Sequence, residues 1–142
     1  MIPGIASLIF VPLLAIFFAH IMWAFGSTWP VADETALTRT VTGMRNASRM
    51  PPRIATFFVA IAVFAAGIIA LMLTDPGRDA GLTAFGAVVG TVFLVRGVLG
   101  YTPKWRAFTP EEPFATLDRR IYSPVCLFIA AGYALLTIWR LI

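Results

Sequence analysis

Four apolar runs, 5–25, 54–73, 82–101 and 124–142, constrain this chain more than any other feature. A helix rises ~1.5 Å per residue, so about 20 apolar residues cross a ~30 Å hydrocarbon core. Each run meets or approaches that length, and the polar segments between them are short. Charged residues make up 13% of the 142 residues, against about 25% in soluble domains. That leaves too few polar groups to cover a water-facing surface. The expected fold is therefore all-α, a four-helix transmembrane bundle formed as one integral membrane domain over 1–142.

The opening segment "MIPGIASLIF" carries no Lys or Arg, and the first run ends in the bulky "HIMWAF". A signal peptide has a basic start and a small-residue cleavage site, so the first run is expected to stay as a membrane helix. Cys126 is the one cysteine. An intrachain disulfide is excluded, and no Cys/His cluster has zinc-ligand spacing. No metal or cofactor is expected. The net charge of +4 is read as topology rather than as affinity for nucleic acid.

Lys and Arg placement sets orientation. Arg39, Arg45, Arg49 and Arg53 follow the first run, and Lys104, Arg106, Arg119 and Arg120 follow the third. The turn "TDPGRDA" between the second and third runs holds only Arg78, and Arg140 stands alone near the C-terminus. Both basic connections are expected in the cytoplasm, with both termini outside. The tight Pro76-Gly77 turn predicts that the second and third spans are antiparallel neighbours.

The basic connections carry signs of short interfacial helices. In "TPEEPFATLDRRIYSP", Thr109 and Glu112 have capping-box spacing, and Pro110 suits the first helical position. An interfacial helix is expected over about 110–122, with Phe114, Leu117 and Ile121 on its apolar face. Ser123-Pro124 reads as a fresh cap and first-turn proline, starting the last span. "ADETALTRTV" offers a weaker counterpart through Ala36, Leu37 and Val41.

Polar side chains then gather near the inner face. His20, the single histidine, lies about a turn and a half before the first span ends, and Arg96 lies at a similar depth in the third. Asp118, Arg119, Tyr122, Ser123 and Cys126 cluster around the start of the fourth. His20, Trp23 and Ser27 share a helical face at about 100° per residue. The candidate binding residues are His20, Trp23, Arg96, Asp118, Arg119, Tyr122 and Cys126. Each has a plainer role: snorkelling or an ion pair with Asp118 for Arg96, packing for His20 and Cys126, and interfacial anchoring for Trp23, Trp29 and Trp105. Gly86, Gly90 and Gly97 form a small-residue stripe, suited to helix packing within the chain or to a homo-oligomer through that face.

The segments "AHIMWAFGSTWP", "LTRTVTG" followed by "MPP", "VRGVLGY" and "EEPFATLDRRIYSPVCL" together resemble a family of small bacterial integral membrane proteins, domain of unknown function 3995. The matching elements include His20, Trp23, Ala24 and Gly26, then Arg96 and Gly97. Val125 stands where family members tend to have Leu. The resemblance implies a four-helix membrane protein of bacterial type and no particular activity.

Three functions follow as expectations. The first is binding of a lipid headgroup, an amphipathic small molecule or a partner helix in a polar pocket near the cytoplasmic face. There Arg96, Arg119 and Arg120 receive an anion, and His20, Trp23 and Tyr122 line the cavity. The partners are then membrane lipids. The second is an intramembrane enzyme using His20 as acid or base with Asp118 or Tyr122, or His20 activating Cys126. The third, an oligomeric transporter or channel, lacks polar side chains at mid-depth.

Overall fold

The computed structural model describes residues 1–77 and 79–142; Arg78, the cation expected in the outer turn, lies outside them. In chain order the helices are α1 (Ile2–Ala24), α2 (Glu34–Val41), α3 (Arg53–Met72), α4 (Ala80–Leu99), α5 (Pro103–Phe108), α6 (Phe114–Leu117) and α7 (Ser123–Leu141). A π-helical turn, Asp118–Tyr122, joins α6 to α7. Among the described residues four helices are long and apolar enough to cross a membrane: α1, α3, α4 and the continuous 28-residue Phe114–Leu141.

Local chemistry sets where several helices begin. Asp33 accepts from the Ala36 N–H at 2.8 Å to open α2, and Asp79 accepts from the Leu82 N–H at 3.0 Å to open α4. Thr102 does the same for α5 through the Trp105 N–H, with Pro103 beside it in the first turn. Each such cap satisfies an otherwise orphaned donor and is worth ~1 kcal/mol. Pro52 sits at the N-cap of α3, where a missing N–H costs nothing.

The helices pack as two pairs, α1 on α3 and α4 on α7, and α1 meeting α7 joins the pairs. The core is made by Ala6, Ile9 and Leu13 of α1, Ala66 and Ala70 of α3, Leu73 just beyond it, and Ile129, Tyr133 and Leu136 of α7. The Tyr133 hydroxyl donates across to the Ala66 carbonyl of α3. In lipid, helices gain little from hiding apolar surface, so they associate by close packing of small residues. A Cβ on Gly90 would stand 2.8 Å from Tyr133 Cβ, and one on Gly97 2.7 Å from the Leu127 side chain. The glycine stripe of α4 thus seats α7 of the same chain. α3 and α4, expected as close neighbours from their short turn, touch far less, because α4 turns its small-residue face to α7.

Two expectations at the fourth span need correction. The helix expected over 110–122 is not a separate element, and Ser123-Pro124 is not a fresh start. Phe114–Leu141 runs on without a break because the turn before Pro124 is π-helical. The Ser123 N–H donates to the Asp118 carbonyl, five residues back. The next donor in that register would be Pro124, which has none, so the Arg119 carbonyl is left over. The Tyr101 hydroxyl donates to it at 3.1 Å. The Thr109–Glu112 box is also not formed. Thr109 Oγ1 donates to the Trp105 carbonyl at 2.9 Å, and Glu112 accepts from the Thr116 N–H at 3.1 Å.

Both basic connections meet at one end of the bundle. The Tyr122 hydroxyl donates to the Thr40 carbonyl at 3.0 Å, and the Glu111 N–H donates to the Gly43 carbonyl at 3.1 Å. Phe114 packs on Gly43, whose φ of +63° and lack of Cβ both serve the contact. At the other end Arg140, 7% exposed, fastens the α3–α4 turn. Its Nε donates to Thr83 Oγ1 at 2.9 Å and its Nη1 to the Asp75 carbonyl at 2.6 Å. Polar side chains therefore gather at both ends, not only at the basic one.

Candidate functional site

Asp118 opens the π turn and is fully buried, at 0% exposure. A buried carboxylate persists only where donors surround it, and here three hydrogen-bond donors and a second guanidinium converge. Arg96 Nη2 donates to Oδ1 at 2.7 Å, Ser123 Oγ donates to Oδ1 at 3.2 Å, and Trp105 Nε1 donates to Oδ2 at 2.9 Å. Arg106 Nη1 lies 4.0 Å from Oδ2. The Arg96 guanidinium also stands over the Trp105 ring, 5.0 Å from its centroid, a cation–π contact worth about 0.5–2 kcal/mol.

Three elements build this cluster. Arg96 comes from the last turn of α4. The Thr102 cap and Pro103 start α5 at once, and this short helix carries Trp105 and Arg106 back over the carboxylate. Arg106 is held by a second bond, its Nη2 donating to the Ala115 carbonyl at 2.6 Å. Gly100 is the point of closest approach. A Cβ there would overlap Ser123 Oγ and come 3.0 Å from Asp118 Oδ2.

The balance of the cluster is uneven. Two guanidinium groups face one carboxylate, and Nη1 of Arg96 and Nη1 of Arg106 are both buried with no hydrogen-bond acceptor among the described residues. The Arg96 and Arg106 side chains keep 31% and 19% exposure. That exposure lies on other atoms of the two side chains, because both Nη1 atoms are buried. Their unpartnered N–H groups suit an anionic oxygen, and guanidinium geometry matches phosphate.

The residues singled out from sequence divide between two places. Arg96 and Asp118 meet directly, and Cys126, half-buried, lies within electrostatic reach of both. Tyr122 neighbours Asp118 but spends its hydroxyl on Thr40. The side chains of Arg119 and Arg120 are exposed. His20 and Trp23 lie at the same end on α1, with rings 5.0 Å apart. His20 Nδ1 donates to the Ile16 carbonyl at 2.8 Å, because a carbonyl can only accept. Trp23 Nε1 donates to the Trp29 carbonyl at 2.8 Å, which folds the chain leaving α1. Arg53 covers Gly26 in the same loop. Among the described residues no hydrogen bond, ion pair or ring contact joins His20 to Arg96, Asp118, Tyr122 or Cys126.

Sequence reading placed Ser123 near the start of the fourth span but missed Trp105, Arg106 and Gly100 as members of the cluster. The signal was the Thr102-Pro103 start, which announces a helix just after α4 and puts Trp105 and Arg106 within reach of its end.

A four-helix, multi-pass membrane protein with a buried ion-pair cluster at its basic end is the class these features define. Within that class, the chain belongs to the family described as protein of unknown function DUF3995, whose pattern matches residues 13–133. The matched span includes the whole Asp118 cluster and ends before Arg140. No curated protein and no solved structure matches the chain.

Proposed function

We propose that this protein binds an anionic headgroup at the Arg96–Arg106 pair, acting as a lipid-binding membrane protein at the basic end of the bundle. The observation that carries the reading is the pair of buried, acceptor-less Nη1 atoms beside a single carboxylate. A buried donor without an acceptor costs ~1–3 kcal/mol, more when charged. A phosphate oxygen arriving there removes that cost and balances the second guanidinium. Basic pockets at this depth receive such headgroups. In this reading Trp105 orients Arg96, and Asp118 is a positioning residue rather than a contact. The exposed Lys104, Arg119 and Arg120 add attraction without specificity.

The basic end faces the cytoplasm of a bacterial inner membrane, with both termini on the far side. The charge asymmetry supports this: eight of the described Lys and Arg residues lie in the two basic connections and their flanks, and Arg140 is fixed at the other end.

Native mass spectrometry of the detergent-purified protein with phosphatidylglycerol tests the binding. Arg106→Gln is expected to retain about tenfold less lipid than wild type, while Arg45→Gln, on the exposed loop, retains as much as wild type. Equal retention by Arg106→Gln and wild type overturns the proposal.

A further inference from the structure

Asp118 and Ser123 stand five residues apart, yet Ser123 Oγ donates to Asp118 Oδ1 at 3.2 Å. On an α-helix, side chains with that spacing point about 140° away from each other. The π turn closes the angle and turns both toward Gly100 at the end of α4, where a Cβ would overlap Ser123 Oγ and come 3.0 Å from Asp118 Oδ2. In the α register the Ser123 N–H would instead meet the Arg119 carbonyl, four residues back. The segment carrying Asp118 would then advance ~1.5 Å along the axis and rotate about 100°. That motion takes the carboxylate off Arg96 and Trp105, which belong to other helices. The α register would also satisfy the Arg119 carbonyl from within the helix, so a group outside the helix must favour the π turn. Tyr101 is that group: its hydroxyl donates to the Arg119 carbonyl at 3.1 Å.

We infer that Tyr101 is a positioning residue of the anion site: its hydroxyl holds the π register, and that register places Asp118 on Arg96. The inference rests on the headgroup reading above. Tyr101 acts through the backbone, since its hydroxyl bonds the Arg119 carbonyl and not the carboxylate. The end of α4 therefore grips two successive residues, Asp118 by its side chain through Arg96 and Arg119 by its carbonyl through Tyr101. A slide into the α register breaks both grips together. Pro124, next after Ser123, has no N–H with which to take the place of Tyr101. A neutral hydrogen bond of this kind moves such an equilibrium about fivefold.

The experiment reads two quantities on the full chain in detergent. One is phosphatidylglycerol retention by native mass spectrometry. The other is the Trp105 indole N–H resonance, which reports the bond to Asp118 without any lipid. Tyr101→Phe is expected to retain about fivefold less lipid and to move that resonance upfield. Deleting Arg120, an exposed residue of the turn, makes the Asp118 carbonyl and the Ser123 N–H an ordinary α pair and keeps both side chains on one face. The deleted chain is expected to match Arg120→Gln in both readouts, and adding Tyr101→Phe to it is expected to change neither. A Tyr101→Phe protein that equals wild type in both readouts overturns the inference, and so does a loss of the same size with and without Arg120. If the resonance follows the expected pattern while lipid retention is equal in every chain, Arg106→Gln included, the headgroup reading falls and the hold of Tyr101 on Asp118 stands.

Discussion

Asp118→Asn is the sharpest perturbation of the cluster. The substitution keeps the shape and one acceptor oxygen, and replaces the other oxygen by an NH₂ donor. That donor then faces Trp105 Nε1 or Arg96 Nη2, each of which now points its own N–H at it. The carboxylate charge that offsets Arg96 and Arg106 is gone. Breaking a buried ion pair by removing one partner costs ~3–5 kcal/mol. Arg96 retains 31% exposure, so part of its charge is screened and the lower end applies, about 3 kcal/mol. That corresponds to roughly a hundredfold shift in the unfolding equilibrium, readable by denaturant titration in mixed micelles followed by tryptophan fluorescence. Removing both charges together, as Asp118→Leu with Arg96→Met, is expected to cost less than the sum of the two single changes by at least about 1.5 kcal/mol. An Asp118→Asn protein within about 0.5 kcal/mol of wild type, or additive single effects in the cycle, would show that the carboxylate is not the electrostatic centre of this end.

Two further perturbations address the packing and the far end. Gly100→Ala is expected to destabilise by ~1–3 kcal/mol. Its φ of −56° suits any residue, so the cost is steric, and adding Ser123→Ala should recover part of it in the same titration. Arg140→Met removes charged donors from the α3–α4 turn, each worth ~1.5–3 kcal/mol. Amide hydrogen exchange at 74–77 is expected to speed up at least about tenfold, with the Asp118 end unchanged.

What the sequence made legible is whatever depends on residues close together in the chain. Apolar run length locates the four spans, and Asp33, Asp79 and Thr102 each sit beside the helix they open. The join between α6 and α7 was hidden because Ser123-Pro124 has the local signature of a helix start. Only a partner from another element, the Tyr101 hydroxyl on the Arg119 carbonyl, lets the helix pass through a proline in π register. The choice of arginine was hidden for the same reason. Arg106 and Arg119 have equal claims in one dimension. The short helix α5 settles the matter by returning Arg106 to the carboxylate, while Arg119 contributes its carbonyl and leaves its side chain outside. His20 and Arg96 share an end of the bundle, but depth along a helix does not fix azimuth, and each spends its hydrogen bonds elsewhere.

The fixing of α4 follows from these parts taken together. Among the described residues it is the one spanning helix whose fully buried residues are all glycines, its larger side chains Leu82, Val89 and Phe93 packing only partly buried against the core. Its stripe of small residues lies on α7, and polar contacts secure both ends: Arg96 and Gly100 on Asp118 and Ser123, then Thr83 under Arg140. A helix held this way sits close on α7, with Tyr133 and Leu127 seated against Gly90 and Gly97. An open trough along the seam is the geometric consequence. The same glycines and alanines that let α4 and α7 approach also leave the space beside them.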